Sequence, residues 1–138
     1  MKSLVKRTLS NVNDRQRILI VDDDQDMLRL LNRTLEMEGF DTVIVTDGDS
    51  ALNLMDKIKP DLVILDEMMP GSDSLQVVDH IREHSDVPII MLTQEYEMEA
   101  LRRAFSHGAD DFIRKPFGTK SFVARVRAKL RRAGPKTV

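Results

Sequence analysis

Cysteine and tryptophan are absent from this chain, and aromatic residues make up only 4% of it. Without cysteine there is no disulfide framework and no thiolate metal site, which fits a reducing cytoplasm. No apolar run approaches the roughly 18 residues of a membrane span. The N-terminus also lacks the apolar centre of a secretory signal. A cytoplasmic protein with no membrane partner is therefore expected. The 138 residues make one domain, large enough to bury roughly 70% of the surface its unfolded chain exposes.

Acidic residues are missing from the C-terminal end. The net charge is −2, yet nothing acidic follows Asp111, while residues 114–136 hold nine Lys and Arg. Such a run could touch nucleic acid or a membrane surface, but it reads more simply as a solvated helix face whose alkyl stems pack on the core.

Residues 1–16 are polar, lightly basic and weakly periodic, and read as a flexible extension. Thereafter short apolar runs alternate with helical patterns. The runs are RILIV (17–21), DTVIV (41–45), DLVIL (61–65), VPIIML (87–92) and DDFIR (110–114). Three are nearly continuous Ile, Val and Leu, as parallel strands covered on both faces require. Between them Leu28, Leu31 and Leu35 form one helical stripe, with Met27 and Leu30 beside it and Gly39 as its stop. Ala51, Leu52, Met55 and Ile58 form a second stripe, and Leu75, Val77, Val78 and Ile81 a third. Leu101, Ala104 and Phe105 form a fourth, and Phe122, Val123, Val126 and Leu130 a fifth. Five strand–helix units with short connections predict an α/β fold, a doubly wound parallel sheet with helices on both faces.

The run ILIV continues straight into three aspartates, Asp22, Asp23 and Asp24, with Asp26 two positions on. Carboxylates repel one another and resist burial, so the cluster needs a reason. In an open α/β sheet, ligands bind beyond the carboxyl ends of the strands, where the strand order reverses. Asp22 and Asp23 follow the first strand, Asp66 the third, Thr93 the fourth and Lys115 the fifth. With a 2-1-3-4-5 order, three carboxylates converge on one crevice beside a hydroxyl and an ammonium. Such a set suits a hard divalent cation such as Mg²⁺. A cation, a lysine and a hydroxyl around one aspartate make a site for a phosphoryl group, with the aspartate able to act as nucleophile.

At these residues the chain resembles the receiver (CheY-like) domain of two-component response regulators. The matching motifs are ILIVDDD, GDSALNLM, PDLVILDEMMPG, PIIMLT and GADDFIRKPF, in the right order and spacing over about residues 17–132. The resemblance implies a (βα)₅ flavodoxin-like fold over 17–132, with 133–138 a tail or the start of a linker. It implies a signalling switch rather than an enzyme, accepting phosphate from a histidine kinase or phosphotransfer protein. Asp66 would be the phosphoacceptor. Asp22, Asp23, Asp66 and the backbone carbonyl of Met68 would hold Mg²⁺, and Thr93 and Lys115 would contact the phosphoryl oxygens. Lys115–Pro116 would be a cis peptide and Phe112 the aromatic switch partner of Thr93. The face formed by the fourth helix, fifth strand and fifth helix would change on phosphorylation. Asp24 and Asp26 have no carried-over role and read as the cap and first-turn charge of helix one.

The chain departs from the pattern at Ser74, where glycine is usual, and at Gln94, where a small residue is usual. Ser74 predicts a rearranged loop or a different start for the third helix if the position demands positive φ. Gln94 predicts narrower access to the crevice. The last helix resembles that of receivers joined to winged-helix DNA-binding domains, the OmpR/PhoB class, which dimerise through salt bridges on the face just named. Asp111, Arg125 and Arg132 match that pattern, but Leu101 and Ser121 replace both ends of one bridge. With the sequence ending at Val138, a stand-alone receiver and a piece of a larger regulator are both open, and DNA contact is expected only through an effector domain outside it.

Three other readings compete. Haloacid-dehalogenase-like phosphatases also place Asp-x-Asp after an apolar strand, but need an acidic motif beyond their lysine, and none follows Lys115. HIREH (80–84) fits an inverted zinc-peptidase pattern, yet His80 and His84 flank a helix whose inward stripe is apolar; His107 reads as a charge complementing a helix C-terminus. A receiver that works without phosphate is the third, opposed by the joint presence of Asp22, Asp23, Asp66, Thr93 and Lys115.

Overall fold

The computed structural model describes residues 15–69, 73–94 and 97–133. Most of the expected N-terminal extension and residues 134–138 lie outside them. Among the described residues, strands and helices alternate: β1 (Arg17–Val21), α1 (Gln25–Met37), β2 (Asp41–Val45), α2 (Gly48–Ile58), β3 (Leu62–Asp66), α3 (Ser74–His84), β4 (Ile89–Thr93), α4 (Met98–His107), β5 (Asp111–Arg114) and α5 (Thr119–Ala133). The strands pair in parallel in the order β2-β1-β3-β4-β5. This is the flavodoxin-like (βα)₅ arrangement.

Side chains alternate across a strand, and that alternation divides the core in two. Ile18, Ile20, Leu62, Ile64, Ile90 and Leu92 face one way, against Leu28, Leu31 and Leu35 of α1 and Phe122, Val126 and Leu130 of α5. Leu19, Val21, Val63, Leu65, Ile89 and Met91 face the other, against Ala51 of α2, Val77, Val78 and Ile81 of α3 and Ala104 of α4. The three central strands are therefore apolar at nearly every position because both of their faces are covered. Edge strand β2 is less enclosed, with Ile44 exposed.

Helix ends follow from local chemistry. Asp24 caps α1 by accepting the N–H groups of Asp26 and Met27. Asp73 caps α3 in the same way from Leu75 and Gln76. Gly39 and Gly108 take positive φ, 92° and 120°, just past α1 and α4, where a Cβ would be strained. Arg82 ties α3 to β4 and β5: its guanidinium donates to the carbonyls of Ser85, Val87 and Gly108 and to the carboxylate of Asp110. Asp110 in turn accepts the N–H of Ile89.

Two sequence expectations need correction. Phe105 points outward and is exposed, because α4 covers the sheet with the small side chains Ala100 and Ala104. The third and fourth strands also run one residue further than read, so Asp66 and Thr93 are their last residues rather than the first beyond them.

Candidate functional site

The chain leaves β1 toward β2 at one edge and then returns to β3 on the other side of β1. The strand order therefore reverses at the carboxyl ends of β1 and β3, and helices diverging there leave a crevice. Asp22 lies one residue past β1, fixed by its N–H to the carbonyl of Val45 at 3.2 Å. Asp66 ends β3, Thr93 ends β4 and Lys115 lies one residue past β5. Parallel register thus brings four polar residues, far apart in sequence, to one edge of the sheet.

Asp22, Asp66 and Thr93 are buried, while Asp23 is exposed beside them. One carboxylate oxygen from each of Asp22, Asp23 and Asp66 lies within 4.8 Å of the others. Lys115 Nζ stands 3.2 Å from Asp66 Oδ1 and 3.8 Å from Asp22 Oδ2. The N–H of Met68, whose side chain is exposed, also donates to Asp66 Oδ1 at 3.3 Å. Asp22 Oδ1 accepts the N–H of Asp24 at 3.0 Å, but Asp22 Oδ2 is buried without a hydrogen-bond donor. Burial, with the Asp66 carboxyl beside it, pushes the Asp22 carboxyl up to about 7, and the Asp24 N–H and Lys115 only partly oppose that.

One ammonium cannot satisfy this set. A hard divalent cation fits it on two counts: three carboxylate oxygens converge, and one buried oxygen lacks a donor. Among the described residues no other group of three or more acidic or histidine ligands converges in this way. His80 and His84 lie instead along a cleft between α2 and α3, with Leu52, Met55 and Asp56. His107 Nδ1 bonds Asp79 of α3 at 2.7 Å, so it bridges two helices as well as ending one.

The Lys115–Pro116 peptide is cis. Phe112 is half-buried and lines a groove of about 590 Å³ between α4, β5 and α5, together with Leu101, Phe105, Pro116, Phe117 and Ser121. On that face Arg125 stands 3.5 Å from Asp111 of the same chain. Gln94 is exposed.

Two residues near the crevice have roles that sequence reasoning did not find. Ser74 is the first residue of α3 and needs no positive φ, since Lys59 alone among the described non-glycine residues has one. Its buried hydroxyl donates to the carbonyls of Asp66, at 2.6 Å, and Glu67, at 3.0 Å. The Thr93 hydroxyl donates to the carboxylate of Glu67. The available signal for Glu67 was a second acid directly after Asp66.

The fold and the crevice define a flavodoxin-like α/β protein whose switch point is acidic and polar. Within that class the chain belongs to the response regulator receiver domain family, whose pattern its residues 18–127 match. It is 48% identical over 118 residues to the DNA-binding response regulator MtrA of Mycolicibacterium paratuberculosis, covering 86% of this chain and 52% of that protein. It is 40% identical over 126 residues to the phosphate regulon transcriptional regulatory protein PhoB of Escherichia coli, covering 89% of this chain and 55% of that one. The chain spans about half the length of these curated relatives. A two-component response regulator from Clostridium difficile superposes with a TM-score of 0.84 at 28% identity, over 88% of this chain and 100% of that one. The family is one of signalling modules rather than metabolic enzymes. No described helix is long and apolar enough to cross a membrane.

Proposed function

We propose that Asp66 is the phosphoacceptor of a switch charged by a histidine kinase or phosphotransfer protein. The observation that carries this reading is the buried Asp66 carboxylate at a strand end, with Lys115 Nζ 3.2 Å away and the Asp22 and Asp23 carboxylates beside it. In the transfer, an Asp66 oxygen attacks the phosphorus of a phosphohistidine. The P–N bond breaks, its electron pair returns to the imidazole, which takes up a proton, and a P–O bond to Asp66 forms. Hydrolysis reverses the charge: water attacks phosphorus, loses a proton to solvent, and the Asp66 carboxylate leaves.

Asp22, Asp23, Asp66 and the Met68 carbonyl would hold Mg²⁺, which when bound neutralises phosphoryl oxygens. Lys115 orients the Asp66 carboxylate before transfer and offsets charge on the phosphoryl group after it. Thr93 donates its hydroxyl to a phosphoryl oxygen. As Thr93 moves, Phe112 turns inward, and the face of α4, β5 and α5 changes for a partner or for a second copy of the chain. Leu101 and Ser121 leave one family salt bridge without either end, so pairing there would lean on apolar contact and on the Asp111–Arg125 side. Contact with DNA would belong to an effector domain outside residues 17–132, the receiver unit of this reading.

The test is labelling by a purified histidine kinase with ³²P-ATP, in wild type and Asp66→Asn. Alkali- and hydroxylamine-labile label that vanishes in the variant supports the reading; label that persists in Asp66→Asn overturns it.

A further inference from the structure

We propose that Glu67 is a latch on the Thr93 hydroxyl, a positioning residue that sets how readily Asp66 takes up phosphate. The inference rests on the reading of Asp66 as phosphoacceptor. Thr93 is fully buried, and its hydroxyl donates to a carboxylate oxygen of Glu67. A threonine hydroxyl carries one proton. That proton cannot make a full-strength bond to Glu67 and to a phosphoryl oxygen at once, so phosphate uptake exchanges one acceptor for the other.

The backbone holds Glu67 in place for this. Its N–H donates to the carbonyl of Leu92 at 2.8 Å, which carries the β3–β4 pairing one residue beyond the strand. Its carbonyl accepts the buried Ser74 hydroxyl at 3.0 Å. The residue is therefore fixed to β4 on one side and to the start of α3 on the other, and its side chain has a short reach back to Thr93. A carboxylate acceptor makes the bond stronger than a neutral one would. Glu67 is only half-buried, so its carboxylate regains water when the hydroxyl departs, and exchange remains affordable.

A carboxylate beside Asp66 could also act by repelling an anionic donor, and the experiment separates the two. Acetyl phosphate with Mg²⁺ is the donor: Asp66 attacks phosphorus, the bond from phosphorus to the acyl oxygen breaks, and acetate leaves with the electron pair. The rate of phosphoryl gain is followed by intact mass in wild type, Glu67→Ala, Glu67→Gln, Thr93→Ala and the Glu67→Ala/Thr93→Ala double variant. Glu67→Ala is expected to speed labelling by roughly threefold to tenfold, the range that the net worth of one hydrogen bond allows once the freed carboxylate's return to water is set against it. Glu67→Gln, which keeps an acceptor without the charge, falls between. In the Thr93→Ala background the gain from Glu67→Ala shrinks to nearly nothing. An equal gain in both backgrounds overturns the latch in favour of simple repulsion. Labelled wild type with no gain in Glu67→Ala overturns it outright. Absence of label from every chain, wild type included, with acetyl phosphate and with the kinase alike, removes the phosphoacceptor reading, and the latch with it.

Discussion

Replacing Asp22 by Asn should stabilise the metal-free protein, and by an amount that depends on pH. The Asp22 carboxyl is raised from 3.8 to about 7, chiefly by burial. Its folded-state pKa thus lies above the unfolded one. Between those values the folded chain binds more protons than the unfolded chain, so stability falls as pH rises through the window and levels off above about 7. Each unit of the window is worth at most about 1.4 kcal/mol. About two units lie between pH 5 and the upper edge, which gives about 2–3 kcal/mol before relaxation of the site and about 2 kcal/mol after it. Asparagine carries no charge to desolvate, and its amide can donate to the neighbouring Asp66 carboxylate. Urea unfolding with chelator present, at about pH 5 and about pH 8, measures the difference. The stability gain of Asp22→Asn over wild type should be about 2 kcal/mol larger at the higher pH. A gain equal at both values, or a variant less stable than wild type at pH 8, would refute the assignment of a strained buried carboxylate. Added Mg²⁺ should reverse the order, since at about a hundredfold excess over its Kd a bound ion adds about 2.7 kcal/mol to wild type and little to the variant.

Other perturbations have equally definite outcomes. Lys115→Met removes a cation that opposes the rise at Asp22, so a carboxyl-detected NMR titration should find Asp22 titrating at higher pH than in wild type. Ser74→Ala deletes a buried hydroxyl that donates to two carbonyls and should lower stability by about 1–2 kcal/mol in urea unfolding. Arg82→Ala leaves the carbonyls of Val87 and Gly108 and the Asp110 carboxylate without their shared donor; a loss of about 2–3 kcal/mol is expected in thermal or urea unfolding.

The architecture was legible because the central strands of a doubly wound sheet carry an unusual signature, apolar on both faces and broken by short turns. The three runs around Ile18, Leu62 and Ile89 could hardly be anything else. The five principal polar residues were legible for a related reason: in this topology, strand ends converge, so position along the chain predicts proximity. What sequence did not reveal depends on packing detail. Phe105 sits at a helical spacing that suits the core, yet Ala100 and Ala104 are the residues that let α4 approach the sheet, and Phe105 is left outside. Ser74 looked like a backbone problem because glycine suggests positive φ. Its hydroxyl instead finds two carbonyl acceptors at the start of α3, and only the three-dimensional path of the chain after β3 makes those acceptors available. The Glu67–Thr93 bond likewise joins the residue just past β3 to the last residue of β4, and their facing cannot be read from either motif alone.

The central claim is that Asp66, in this acidic crevice, takes up phosphate. Intact mass after incubation with acetyl phosphate tests it most directly, in wild type with Mg²⁺, in wild type with chelator, and in Asp66→Ala with Mg²⁺. A gain of one phosphoryl group is expected in the first sample only. The same gain in Asp66→Ala, or a gain in wild type indifferent to the cation, would contradict the claim.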